Sequence, residues 1–207
     1  MPRPRKFDES DVIAAAREEF WTRGYGATSV DDLTTATGLG KGSLYGAFKD
    51  KRHLFLRALA DYNERVLSDM RSALVDSEGS PWRRLEDFMF TTIVDQGLRG
   101  CLMANSVSEL TNQDPELLDR SRAFYAAQED TLTLCLDQAR ERGEIADGAN
   151  PREQARLLLA TIQGIRFLQQ AGMAGSQIRQ IARSALDAVP KATNPVAGVT
   201  RGAPTSG

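Results

Sequence analysis

The stretch that decides the fold runs from Thr28 to Lys51 and reads TSVDDLTTATGLGKGSLYGAFKDK. Thr28 and Ser29 are capping residues, and Asp31 and Asp32 place negative charge in a first helical turn, where the unpaired N–H groups favour it. Val30, Leu33 and Ala36 recur at threefold spacing and give this helix one apolar face. Gly38 supplies a left-handed stop, and Leu39 closes the corner. The chain restarts at Gly40-Lys41-Gly42-Ser43, and Leu44 and Phe48, four residues apart, form the inner face of a second helix. Two short helices crossing at a glycine-containing turn make a helix-turn-helix, whose second helix enters a DNA major groove by its N-terminal end. Gly42, with no side chain, and Ser43, which both donates and accepts, are the candidates for base edges. Thr28, Lys41, Tyr45 and Lys51 are the candidates for phosphates, which fix register without carrying sequence information.

On the N-terminal side, Asp8 or Ser10 caps a first helix whose apolar stripe is Val12, Ile13, Ala16 and Phe20, and Gly24 ends it. The opening MPRPRK is either a basic arm that touches DNA or a frayed terminus. On the C-terminal side, Asp50 caps a fourth helix that buries Leu54, Phe55, Ala58, Leu59 and Tyr62 and runs towards Ala73. Lys51 stands in its first turn, where a cation opposes the helix dipole but a phosphate is welcome.

With these residues in view, Phe7 to Tyr62 resembles the N-terminal domain of TetR-family transcriptional regulators. The likeness lies in the helix ending at Phe20, then Gly24-Tyr25, Thr28-Ser29-Val30, Gly38, Gly42-Ser43-Leu44-Tyr45, Phe48, and Lys51 followed by Leu54 and Phe55. It implies an all-α fold of about nine helices, with a three-helix DNA-binding domain followed by a helical ligand-binding and dimerisation domain. It also implies a homodimer on a palindromic operator, most often a repressor that a small-molecule effector releases. The last two helices, paired with their copies, would make the dimer interface. The expected divisions are 1–53 for arm and head, 54–189 for the body, and 190–207 for a disordered tail of Pro, Gly, Ala and Thr.

The body reads as further helices. Asp76 to Pro81 is a loop, and Trp82, Leu85, Phe88 and Met89 line the helix after it. Gly100-Cys101-Leu102 starts a sixth helix and resembles one subset of TetR-type regulators. Cys101 near that N-terminus is a candidate redox or electrophile-sensing thiol, with a buried inert cysteine as the alternative. Asp114-Pro115 opens a long helix to about Arg142, Asn150-Pro151 opens the next, and Ser176 to Val189 forms the last. The candidate pocket, between helices five and eight, draws on Phe88, Met103, Phe124, Tyr125 and Phe167, with Asn105, Gln128 and Gln163 as polar selectors.

Composition bounds the alternatives. Net charge is −2, so any basic patch is local. His53 is the one histidine, and the two cysteines have no metal spacing, so neither a metal site nor another cofactor is expected. The same scarcity argues against an all-helical enzyme. A helical interaction protein that keeps the motif without using DNA is the other alternative. Nothing marks a signal peptide or membrane span, which fits a cytoplasmic protein.

Overall fold

In the computed structural model, which describes residues 7–94, 99–110 and 114–192, the regular elements are all helical. α1 (Glu9–Arg23) opens on Asp8, whose carboxylate accepts the Ser10 N–H, and stops at Gly24 with φ 82°. α2 (Val30–Thr37) opens on a capping box: Ser29 accepts the Asp32 N–H, and Asp32 accepts the Ser29 N–H. Gly38, at φ 67°, takes the left-handed stop. α3 (Lys41–Phe48) has no side-chain cap and ends at Lys49, φ 65°, a conformation costing a non-glycine residue on the order of 1 kcal/mol. The next residue, Asp50, caps α4 (Lys51–Arg71) by accepting the His53 N–H at 2.8 Å. The chain thus passes from α3 to α4 in two residues, which fixes the angle between them.

α1 lies against α2 and α4. Val12, Ile13, Ala16 and Phe20 meet Leu33, Leu44, Phe48 and the Leu54–Tyr62 face of α4 in one core. The Phe20 ring stands edge-on to Phe55 at 5.2 Å, and Tyr25 lies 4.8 Å from Phe55. The α2 face is narrower than its spacing suggested. Leu33 is fully buried and Val30 half-buried, but Ala36 is exposed. With about 3.6 residues per turn, each three-residue step slips back by roughly 60°, so Ala36 has rotated off the face that Thr37 rejoins.

A π-helical turn, Ser72–Asp76, follows α4, and α5 (Pro81–Asp87) runs on into a second, Phe88–Val94. Then come α6 (Leu102–Leu110), α7 (Pro115–Glu141), α8 (Pro151–Gln170) and α9 (Gly175–Asp187). α5, α7 and α8 each carry a first-turn proline behind a capping Ser80, Asp114 or Asn150. α8 packs between α7 and α9, and Leu132, Leu136, Leu158, Ile162, Ile165, Ile178 and Leu186 lead a second core.

The two cores do not part at residue 53. α4 gives Leu54 to Tyr62 to the first and Met70 to the second; α7 gives Leu117 and Phe124 to the first and Leu132 and Leu136 to the second. Two continuous helices therefore join head to body. The segment expected to trail from Pro190 starts docked: the Pro190 carbonyl accepts the Ala146 N–H at 2.9 Å, and the Lys191 ammonium stands over Trp82. Residues 193–207 and the Met1 to Lys6 arm lie outside the described residues.

Because Leu33 is the buried anchor of α2, Leu33→Ala is expected to destabilise the protein by about 2–5 kcal/mol through lost transfer energy and a residual cavity. Urea unfolding measures this, and a loss under about 1 kcal/mol contradicts the packing described.

Candidate nucleic-acid interface

α3 is held by two side chains. Leu44 is fully buried and Phe48 nearly so, while Lys41, Gly42 and Ser43 at its N-terminal end are exposed and Tyr45 is half-buried. Around Gly42 and Gly46, nothing beyond the adjoining residues and the helix's own backbone lies within 4 Å of where a Cβ would stand. The outer side of the helix is therefore bare, and another backbone or a base edge can approach it closely.

Lys51 does not stand free in the first turn of α4. Its Nζ lies 4.4 Å from the centre of the Tyr25 ring, so the cation that the helix dipole disfavours rests on a π face. Partial burial draws the ammonium below its usual pKa, against the opposing charges of Glu109 and Asp32. The neighbouring Asp50 carboxyl is held below its ordinary range, first by the backbone N–H of His53 and then by its ring.

Thr28 is placed differently from the expectation. It is fully buried, and its hydroxyl donates to the Gly24 carbonyl at 2.6 Å. A phosphate oxygen needs a donor, and this proton is already committed, so Thr28 braces the α1–α2 turn instead. Lys41, Gly42, Ser43, Tyr45 and Lys51 remain as the set that α3 and the start of α4 bring together.

Two distant contacts set this head on the body. The Glu109 carboxylate of α6 accepts the Tyr25 N–H at 3.0 Å and the Gly26 N–H at 2.6 Å. A Cβ on Gly26 would come within 2.7 Å of the same carboxylate, so the glycine leaves room for it. Arg52, in the first turn of α4, donates to Asp114 at 3.0 and 2.9 Å and to Glu116 at 2.7 Å. Those bonds hold both carboxyls below their ordinary range. Sequence reasoning missed both grips, since each joins residues more than sixty positions apart.

The candidate pocket residues scatter. Phe88 and Gln128 line a small inner cavity. Met103 and Phe124 are buried in the head-side core, where Phe124 packs on Tyr62 and Tyr125. Asn105 faces a shallow cleft beside Trp21 and Gly24. Gln163 has both amide atoms buried without a hydrogen-bond partner. Phe167 is 68% exposed and faces away from the interior. A cavity larger than that one is walled by α1, α4 and α8 rather than by helices five to eight alone, with Trp21, Tyr62 and Arg166 among its lining. Cys101 precedes α6 as expected, but it is only 2% exposed, with the Tyr62 hydroxyl 3.5 Å from its sulfur. Burial pushes the other thiol, Cys135, up to about 11. No cluster of metal-ligating side chains occurs among the described residues.

Comparison with known proteins agrees with this geometry. The family model for bacterial regulatory proteins of the tetR family matches residues 12–58, and a tetracyclin repressor-like C-terminal domain matches residues 83–185. The chain is 31% identical to the HTH-type transcriptional repressor ComR of Escherichia coli K12, over 89% of this chain and 90% of that one. It is 26% identical to the HTH-type transcriptional repressor DhaR of Mycobacterium sp. GP1, over 74% and 77%. Among solved structures, a cysteine mutant of the TetR-family regulator CifR, complexed with 26-bp operator DNA, superposes with a TM-score of 0.80. That match is at 25% identity and covers 91% of this chain and all of that one.

Lys41→Ala is expected to weaken binding to all DNA sequences alike and to reduce the slope of log affinity against log salt by about 1. Ser43→Ala is expected to relax preference at one base pair per half-site, by about 1–3 kcal/mol, with the slope unchanged. Fluorescence anisotropy over a salt series separates the two; indistinguishable variants contradict the assignment.

Proposed function

The chain belongs to the tetR family of bacterial regulatory proteins and is a DNA-binding transcriptional regulator rather than an enzyme; on that premise we propose that it is a repressor which binds a near-palindromic operator as a homodimer and leaves it when a small molecule occupies the body. The observation that carries DNA reading is the bare outer side of α3, with Lys41, Gly42 and Ser43 at the end that leads into a groove. Gly42 and Ser43 approach base edges, while Lys41, Tyr45 and Lys51 meet phosphates. On this reading residues 1–53 make up the reading head and 54–189 the sensing and pairing body, with the Leu54–Tyr62 face of α4 completing the head's core. A regulator of chromosomal DNA would work in the cytoplasm.

Pairing through α8 and α9 is supported by their outer faces. Beyond the inward Leu158, Ile162 and Ile165, α8 leaves Leu157 45% and Phe167 68% exposed. Leu157, Thr161, Ile181, Ala185 and Ala188 edge an open groove between α8 and α9. A two-fold axis through this face would bury the same patch on both copies and set two heads one helical turn of DNA apart.

Release requires an effector that favours a head spacing poorly matched to DNA, and its preference between the two states bounds the effect. Both continuous helices, α4 and α7, can transmit the change.

Selection of genomic fragments by the purified protein is expected to yield an inverted repeat bound by two copies. A body ligand is expected to lower its affinity at least tenfold, and an unchanged affinity with the body occupied contradicts release. Leu157→Asp puts a charge into the paired face twice, so it is expected to weaken the dimer about 100-fold without unfolding the subunit. Sedimentation at micromolar concentration measures this, and an intact dimer overturns the assigned interface.

A further inference from the structure

Two cavities lie back to back, an outer one between α1, α4 and α8 and an inner one between α4, α7, α8 and the Phe88 turn. The outer, of about 330 Å³, opens past Trp21, Tyr62 and Arg99; the inner, of about 40 Å³, ends on Met70, Phe88 and Gln128. Val66, Asp69 and Arg166 line both. Two residues of the inner lining carry an unpaired polar atom. Gln128, only 2% exposed, has no partner for Nε2, and the buried Nη1 of Arg166 has none either. Both are hydrogen-bond donors, and buried donors are rarely left unmatched in a native protein.

The other guanidinium groups around the mouth are engaged. Arg17 pairs with Asp61 and Glu18, Arg65 with Asp61, and Arg99 with Glu18 while it lies over Trp21. Among the described residues, Arg166 has no ion pair; Asp69 shares the cavity, but it is solvent-exposed and forms no salt bridge with it. The inner cavity thus offers one cation without a salt-bridge partner, one amide N–H donor and an apolar wall of Val66, Met70, Phe88 and Ile162. One cation suits a single negative charge better than the two of a phosphomonoester, and a guanidinium beside an amide suits a planar acceptor.

We propose that a small monocarboxylic acid binds here, its carboxylate on Arg166 and Gln128 and its apolar part against Val66, Met70, Phe88 and Ile162. The proposal rests on effector-controlled release and names the effector's class. The acid would sit against the stretch of α4 between the two cores, where filling the cavity bears on the helix that carries the head.

Calorimetric titration of the full-length protein with butanoate, hexanoate, octanoate and phenylacetate, beside their primary amides, tests this. At least one acid is expected to bind at least tenfold more tightly than its amide. Arg166→Gln and, separately, Gln128→Leu are expected to reduce that binding at least tenfold while unliganded thermal stability is kept or raised, because a buried unpaired group has been removed. No binding by any acid at millimolar concentration overturns the proposal, as do acids and amides binding equally, or both variants retaining full affinity. Anisotropy on the selected operator separates this from the reading beneath it. Acids that bind without weakening DNA leave the site standing and overturn release, whereas a neutral compound that releases DNA while no acid binds overturns the site and leaves release standing.

Discussion

Everything the molecule does with DNA depends on how little of α3 is buried. An eight-residue helix makes just over two turns, and here Leu44 and Phe48 alone are its buried anchors. The head must therefore be rigid elsewhere. α1 and α4 supply a packed brace, Phe20, Tyr25 and Phe55 lock the corner, and the two-residue passage through Lys49 and Asp50 ties the end of α3 to the capped start of α4. A helix so sparsely anchored can project its N-terminal end only because everything around that end is fixed.

The same economy governs the link between head and body. Glu109 and Arg52 make few contacts, but they hold backbone and helix starts rather than side-chain tips. Glu109 fills two N–H groups of the α1–α2 turn, and Arg52 bridges the first turns of α4 and α7. Both grips lie on elements that also line the interior: α6 follows the buried Cys101 and gives Leu102 and Met103 to the first core, and α4 passes both cavities on its way into the second. On the proposed release mechanism, a change in the body would reach the head through packed helices with fixed ends.

What the sequence showed was what local chemistry determines. The Ser29–Asp32 box, the Gly38 stop, the Asp50 cap and the prolines at three helix starts are each complete within a few residues, so they could be read directly. Rotation about a helix was harder to see. Ala36 drifted off its face, and Phe167, next to Arg166 in sequence, lies about 100° around the helix from it and faces outward. Thr28 has the composition of a cap or phosphate donor, yet its hydroxyl turns back to Gly24, a choice set by burial. The Glu109 grip and the Gln128–Arg166 chamber bring together residues far apart in the chain, and no periodicity announces them.

The central claim is that the N-terminal end of α3 lies in a groove of the operator. The native thiols, Cys101 and Cys135, are both buried, so a Ser43→Cys protein can carry an iron–EDTA cleavage reagent at that one position. Bound to its selected operator, the tethered iron should cut the DNA in two clusters related by the site's two-fold symmetry, one inside each half-site. Cutting spread evenly along the fragment, or no cutting although the operator is bound, would contradict it.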